Sequence, residues 1–555
     1  MDAIVFGALF AIVYAIADIA RYWFSAPVAA VNISLAPSAL PRYAFYSLVR
    51  MIVAYVLSLL FAVGYGYLAA YHKRLEAPML AVLDILQSIP VLSFLPGVML
   101  AMVSLFPSRQ LGVEFGSILL IFTGQVWNMA FSFYASLKAL PRELMEASRV
   151  YRFGSLQRFL QLELPQGAIG LVWNSMVSVA GGWFFLMACE MFVLGRRDFR
   201  LPGLGSYLQS AASAGNTAAI TWGIATMIGV VVLIDQLVWR PAIAWSDKFK
   251  LEQVESSSAH SSPVLNLLRK SPLLTRLRES FTAPLMEHVY MSASHRRQEP
   301  KLPPPNWQRA FVMLAGILCV LLILHGVFQG CLLLKGITPA EFITTIESAG
   351  ATFLRVWAAL VIASAWTIPA GVAIGFNPRL ARIAQPLAQI AASVPATALF
   401  PVLLLGLISL GGGLNIGSIL LMLLGTQWYI LFNVTAGAIA IPSEFREVAE
   451  IFRFRSIDRW RTVLLPAIFP YLITGLITAS GGAWNASIVA EYFHFKGQVL
   501  STFGLGAEIS SATDAGNFAL LLLSTIVMAT LVVSVNRLVW RPLYRRAETR
   551  YRLDS

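Results

Sequence analysis

The residues of this 555-residue chain that could do chemistry fall into three groups, each present twice. Glu146 and Glu447 lie in charged stretches, Pro141–Phe153 and Pro442–Phe454, where they could meet a partner surface. Arg50 with Glu190, and Arg355 with Glu491, flank apolar stretches, where opposite charges could form ion bridges. Ser88-Ile89-Pro90 and Ser393-Val394-Pro395, with Gln125, Asn128 and Gln427, are polar or helix-breaking groups inside apolar stretches. The chemistry on offer is electrostatic: docking, ion pairing and hydrogen bonding. Catalysis has no foothold, since the chain has neither a GxxxxGK[ST] phosphate loop nor HExxH. Cys189, Cys319 and Cys331 lack CxxC spacing and read as small buried hydrophobes, without a disulfide framework or a metal site.

The elements that position these residues must be membrane spans. Hydrophobic residues make up 57% and charged residues 12% of the chain, and the mean hydropathy is +0.70, which excludes an ordinary soluble domain. Stretches without Asp, Glu, Lys or Arg run 51–71, 85–108, 115–137, 164–189, 201–234, 310–334, 356–378, 383–443, 462–490 and 515–536. Each reaches the ~20 residues that cross a bilayer. The 383–443 stretch is long enough for two spans, divided at Gly411-Gly412-Gly413. The segment Ile4–Ala20 has no Lys or Arg ahead of it and reads as a further span rather than a cleaved leader. The expected fold is all-α and polytopic, with about twelve transmembrane helices. The surplus of +13 charges sits in loops flanking these spans, which speaks for membrane lipid and against nucleic acid as a partner.

The chain is an internal duplication. Leu237-Val238-Trp239-Arg240-Pro241 recurs as Leu538-Val539-Trp540-Arg541-Pro542, and Gly116-Ser117-Ile118-Leu119-Leu120 as Gly417-Ser418-Ile419-Leu420-Leu421. The same shift maps Glu146 to Glu447, Glu190 to Glu491, Gly203-Leu204-Gly205 to Gly504-Leu505-Gly506 and Gly215-Asn216 to Gly516-Asn517. A slightly larger shift upstream maps Arg50 to Arg355, Ser88 to Ser393 and Pro90 to Pro395. The boundaries read as a first domain over 1–245, a linker over 246–306 rich in Ser, Pro and charge, and a second domain over 307–555. Within the linker, Val264–Phe281 alternates apolar and basic residues, as would a helix on the membrane surface or one packed on a partner. Six spans per half make the repeats parallel. Placing both termini, the linker and the loops around 73, at 142–158, around 379 and at 446–461 in the cytoplasm collects most of the 41 Lys and Arg residues there.

Pro141 and Pro442, acids at Glu143, Glu146, Glu444 and Glu447, and Arg149, Arg152 and Arg453 near the ends are the start and stop signals of a short helix in each loop. Its apolar face is Leu144, Ala147 and Tyr151 in the first copy, and Phe445, Val448, Ala449 and Phe452 in the second. A helix this short needs a surface, either its own bundle or a partner.

These loops resemble the signature of permease subunits of bacterial ABC importers: Glu-Ala-Ala, Gly six positions after the Glu, and Leu-Pro eighteen and nineteen positions after it. Glu146-Ala147-Ser148 precedes Leu164-Pro165, and Glu447-Val448-Ala449 precedes Leu465-Pro466, at that spacing. The chain departs at the Gly, which is Arg152 and Arg453, and at Ser148. Gly often serves where φ must be positive, so the departure bears on the local turn. With Ser88-Ile89-Pro90, Ser393-Val394-Pro395 and the late Glu190 and Glu491, the chain looks most like the nitrate, sulfonate and taurine branch, two permease domains fused.

The resemblance implies a non-catalytic subunit of the bacterial inner membrane that moves a small anion by alternating access. It implies coupling helices that contact two copies of an ABC ATPase, and a periplasmic or lipid-anchored substrate-binding protein. ATP and Mg would be bound by the ATPase, with no cofactor on this chain. Ser88, Pro90, Ser393, Pro395, Gln125, Asn128 and Gln427 could line the path; a Pro kink, or hydrogen bonding between helices, is the competing role. Arg50 and Arg355 could pair with Glu190 and Glu491, draw anions to an outer gate, or cap helices. A permease for a metal chelate or phosphonate, and an ion-coupled carrier, are the rival readings. Against the carrier, Asp84 is answered by Gln389 in the other half.

Overall fold

The computed structural model describes residues 32–107, 110–194, 197–249, 306–409, 413–439, 451–452, 456–495 and 498–550, with Trp23, Ser280, Pro284 and Ile441 as isolated positions. The expected first span at 4–20, the Val264–Phe281 segment and most of the second coupling loop, including Glu447, Val448, Ala449 and Arg453, lie outside these residues.

The first half runs α1 (Leu40–Tyr71), α2 (Lys73–Ser88), a 3-10 turn over Val91–Phe94, α3 (Leu95–Leu105), α4 (Leu111–Lys138) and α5 (Arg142–Val150). It continues with α6 (Ser155–Glu190), a hairpin of β1 (Val193–Leu194) and β2 (Arg197–Asp198), α7 (Leu204–Ser213) and α8 (Thr217–Ser246). The second half holds α9 (Asn306–Leu334), α10 (Pro339–Phe376), α11 (Pro378–Ser393), α12 (Ala396–Ser409), α13 (Leu414–Ile439) and α14 (Ile457–Ala490). A hairpin of β3 (Tyr492–Phe495) and β4 (Gln498–Ser501), then α15 (Leu505–Ala515) and α16 (Phe518–Ala547), complete it.

Among the described residues eight helices are long and apolar enough to cross a membrane, and α2 with the 91–105 segment passes the same test only as a pair bent by 83°, a broken span or a re-entrant loop. Three expected spans therefore take another form, one of them the first part of 383–443, which is divided into α11 and α12 at Pro395. The 85–108 stretch joins α2, whose helix breaks at Pro90 because proline cannot donate to the preceding turn. The 201–234 stretch divides at Gly215-Asn216: Gly215 takes φ 65, closing α7, and the Asn216 side chain accepts from Ala219 N at 3.0 Å, opening α8. Gly516, at φ 68, and Asn517 repeat both roles between α15 and α16.

Each half is built round three mutually packed spans, α1 with α4 and α6, and α10 with α13 and α14. Lipid offers helices no hydrophobic drive to associate, so contact depends on close approach of small residues. A Cβ on Gly66 would lie 3.0 Å from Phe133 and 3.2 Å from Ala130 O; at Gly371 it would lie 2.8 Å from Val434 and 3.2 Å from Leu431 O. Leu60 on α1, and Leu354 and Val361 on α10, stay more than 60% exposed, as lipid-facing side chains must. π turns interrupt α6 and α8 at 159–163 and 235–239, and α14 and α16 at 460–464 and 536–540, so the repeat extends to the defects.

The halves meet through reciprocal contacts: α8 packs on α11 and α16 on α2, α7 on β3 and α15 on β1. That is the pattern of an isologous dimer carried in one chain.

Candidate functional site

The first coupling loop is α5. Pro141 sits just before the helix rather than within it, with φ −56 and ψ 137, and Glu143 lies in the first turn. Tyr151 N donates to Ala147 O, Arg152 N to Arg149 O and Phe153 N to Ser148 O, a Schellman closure whose left-handed position is Arg152 at φ 53. The arginine stands where the signature has glycine and adopts the conformation glycine favours, the only non-glycine with positive φ among the described residues.

The buried side of α5 is Ser148, with Leu144 and Ala147 half-buried; Glu146 is exposed. Tyr151, expected on the packed face, is 75% exposed beside Val150 at 78%. At the repeat-equivalent positions Phe452 is 68% and Ile451 75% exposed, and Leu156 and Ile457 just beyond are exposed as well. Each half thus ends in an apolar tip that its own bundle leaves uncovered. Behind the first tip, Arg158 pairs with the buried Glu163 at 2.7 Å, and Tyr71 OH donates to the same Oε1 at 2.7 Å. These contacts tie the loop to the end of α1. In the second half Leu464 replaces Glu163, and Arg459 lies over the Phe376 ring at 6.0 Å.

At the opposite end of α6 the structure brings Arg50 and Glu190 together, Nη1 to Oε1 at 2.8 Å, and Arg355 and Glu491 at 2.9 Å. Three further groups, not singled out in the sequence, complete each cluster. Glu114 takes Arg50 in a two-pronged contact at 2.6 and 2.7 Å, and Asn415 stands in its place beside Arg355. Ser47 Oγ donates to Glu190 at 2.6 Å and accepts from Leu204 N at 2.9 Å; Thr352 does the same between Glu491 and Leu505 N. Gly205 N and Gly506 N donate to the second carboxylate oxygens at 2.7 and 2.8 Å. The glutamates therefore occupy the N-termini of α7 and α15, where amides and helix dipole favour negative charge. Glycine is needed there, since a Cβ on Gly203 or Gly504 would fall within 2.4 Å of the carboxylate. The polar matches Ser47 with Thr352 were a legible signal; Glu114 was not, because the repeat replaces it with Asn415.

The proposed path residues are distributed differently. Pro90 and Pro395 are buried at their breaks; the side chains of Ser88 and Ser393 lie outside the description. The backbone freed at the first break is taken up by the other half: Leu92 N donates to Asn485 Oδ1 at 3.4 Å and Ser93 O accepts from Thr525 at 3.1 Å. Gln125 is enclosed within the first bundle, its Nε2 2.9 Å from Met51 Sδ, and Gln427 is buried. Asn128 is half-buried and accepts from Gln87 at 3.4 Å. Gln389 reaches across the halves to Asp235 at 3.1 Å.

A cavity of about 440 Å³ opens between the two hairpins, at the end that holds the Arg50–Glu190 and Arg355–Glu491 clamps, lined by Arg200 and Gln209 of the first half and Tyr492, His494 and Asp514 of the second. Asp514 Oδ2 accepts from Tyr492 OH at 2.7 Å and lies 3.1 Å from His494 Nε2. Burial, and next Asp514, push the Tyr492 phenol well above its ordinary pKa, so it stays a donor.

Two stretches, 54–238 and 367–542, match the family of binding-protein-dependent transport system inner membrane components, together more than half of the chain. The chain belongs to that family. This inner membrane component carries the domain twice, and the family is one of ABC permeases, non-catalytic transport subunits with several spans. Among similar proteins, the nitrate import permease protein NrtB of Leptolyngbya laminosa is 27% identical over 34% of this chain and 64% of its own length. The bicarbonate transport system permease protein CmpB of Synechocystis sp. is 30% identical over 28% and 53%. The taurine transport system permease protein TauC of Escherichia coli K12 is 27% identical over 37% and 70%. The chain thus spans just under two thirds of the nitrate relative and about half of the bicarbonate one.

Proposed function

We propose that this chain is the complete membrane wall of an ATP-driven importer for a small anion of the nitrate, bicarbonate or sulfonate class. The two apolar tips carry the reading. Val150 with Tyr151, and Ile451 with Phe452, stand uncovered at equivalent positions, which suits two copies of one partner. Family membership supports an ABC ATPase as that partner, which would hold the ATP and Mg while this chain would bind no cofactor. Each ATPase would seat one tip, and its closure would tilt the half to which the tip is anchored. Glu146 and Glu447, with Ala147, Ser148, Arg152, Val448, Ala449 and Arg453, would flank the contact. On this reading the tips, the linker and both termini are cytoplasmic, the clamps external, and a substrate-binding protein delivers cargo at the clamp end. The anion class rests on the nitrate, bicarbonate and taurine relatives.

The chain purified with a co-expressed ABC ATPase of its importer should retain two ATPase copies. Val150→Asp with Ile451→Asp, or Glu146→Arg with Glu447→Arg, should abolish retention and ATP-dependent uptake while leaving the elution profile unchanged. Retention by both double variants would overturn the docking role. Uptake that follows the proton gradient at constant ATP would establish a secondary carrier instead.

A further inference from the structure

We propose that the Arg355 clamp of the second half binds a small planar oxyanion, of the nitrate, bicarbonate or carboxylate kind, in the place that the Glu114 side chain fills in the first half. The duplication lets each clamp be read against the other. Ser47 and Thr352, Glu190 and Glu491, and the carbonyls of Pro202 and Phe503 serve the two clamps in the same way. The equivalence fails at two positions. Glu114, which takes Nε and Nη2 of Arg50 at 2.6 and 2.7 Å, is answered by Asn415, and the buried Leu201 is answered by Thr502. Nη2 of Arg355 donates to Asn415 Oδ1 at 3.3 Å and to Thr502 Oγ1 at 2.8 Å, and Thr502 Oγ1 donates in turn to Asn415 Oδ1. Nε of Arg355 has no acceptor among the described residues.

Charge and geometry together specify the ligand. The first clamp sets one guanidinium against two carboxylates, so this scaffold holds a second negative charge beside the buried glutamate. The second clamp sets one guanidinium against one carboxylate, and a bound monovalent anion would bring it to the charge that the first already has. The fork of Nε and Nη2 matches two oxygens of one planar group, as it does at Glu114. A two-pronged oxyanion would take the open Nε and replace the long bond from Nη2 to Asn415. The amide and the hydroxyl beside Arg355 carry no charge to repel it. Access is open as well: Asn415 is exposed, and the Arg355 side chain is 14% exposed against 2% for Arg50. Asn415 also lies in the first turn of α13, where the helix dipole favours an anion. Bound there, the oxyanion would join α10 to α13 as Glu114 joins α1 to α4.

That this oxyanion belongs to the cargo class rests on the function proposed above; the site itself does not. The test therefore uses the full chain in lipid nanodiscs without ATPase, and follows its thermal transition as nitrate, bicarbonate or acetate replaces chloride at constant pH and ionic strength. The expected result is a saturable rise of the transition with the oxyanions. Asn415→Glu supplies the missing carboxylate from the chain itself, so it should raise the transition in chloride alone and weaken the response to added oxyanion at least tenfold. Arg355→Lys keeps the charge but loses the fork, and should weaken the response at least tenfold as well. Each variant is judged with an unchanged elution profile, so that misfolding of one leaves the other to decide. No saturable rise with any of the three oxyanions, or a rise that either variant leaves unchanged, would overturn the proposal. A response lost in both variants of a chain that retains no ATPase would keep the site and retire the cargo reading; ATPase retained without any response would do the reverse.

Discussion

Arg152 is the residue at which this chain departs most visibly from the importer signature, and the backbone has not followed the departure. A non-glycine residue pays about 1–2 kcal/mol in the left-handed region because its Cβ crowds the following carbonyl. Arg152→Gly should therefore raise stability by about 0.5–1 kcal/mol, the strain relief being partly offset by glycine's freedom in the unfolded chain. Arg152→Val should lower it, because a β-branched side chain tolerates positive φ least. SDS-titration unfolding of the two variants checks the opposite signs; equal effects would show that the turn carries no such strain. The position was legible from the signature spacing. That its geometry persists under arginine was not, because a sequence states the residue and not the φ.

The clamps act on elements. Arg50 ties α1 to α4 through Glu114, to α6 through Glu190 and to the α7 entrance through Pro202 O. Arg355 makes the same ties with one carboxylate fewer and is 14% exposed against 2% for Arg50. Removing one partner of a buried ion pair leaves an uncompensated charge and costs about 3–5 kcal/mol. Arg50→Met should thus be the more damaging change, since it strands two carboxylates, and Arg355→Met should cost distinctly less. Thermal unfolding of both variants in the same detergent decides this; equal losses would mean that Glu114 is already neutralised by other means. The repeat exposed Arg50 with Glu190 and Arg355 with Glu491 as candidates. The carboxylate at Glu114 went unnoticed because a polar residue near the start of a span has many ordinary explanations.

On the scale of the whole molecule, the two halves contact each other as the subunits of a dimer would. Contacts such as Gln389 with Asp235, Leu92 with Asn485 and Thr525 with Ser93 lie within the packed bundles and do not involve residues 250–305. Polar contacts of this kind hold membrane helices together where apolar surface cannot distinguish helix from lipid. Residues 1–249 and 306–555 produced as separate chains should therefore copurify as a one-to-one pair. Independent elution of the two fragments would show that the linker, and not the interface, holds them.

Composition and repetition determined by themselves that the chain is a duplicated helical membrane protein, because a bilayer admits few backbone solutions and a duplication records itself in spacing. The helix breaks at Pro90 and Gly215-Asn216 were marked in residue type; the 83° bend and the division of α7 from α8 were decided by how the freed backbone groups found partners. Beside the first break, the backbone of Leu92 and Ser93 finds side-chain partners in the other half. The uncovered apolar tips and the two-walled cavity were likewise invisible in one dimension. Each depends on which residues remain without cover once two bundles have packed, and burial is a property of neighbours far apart in the chain.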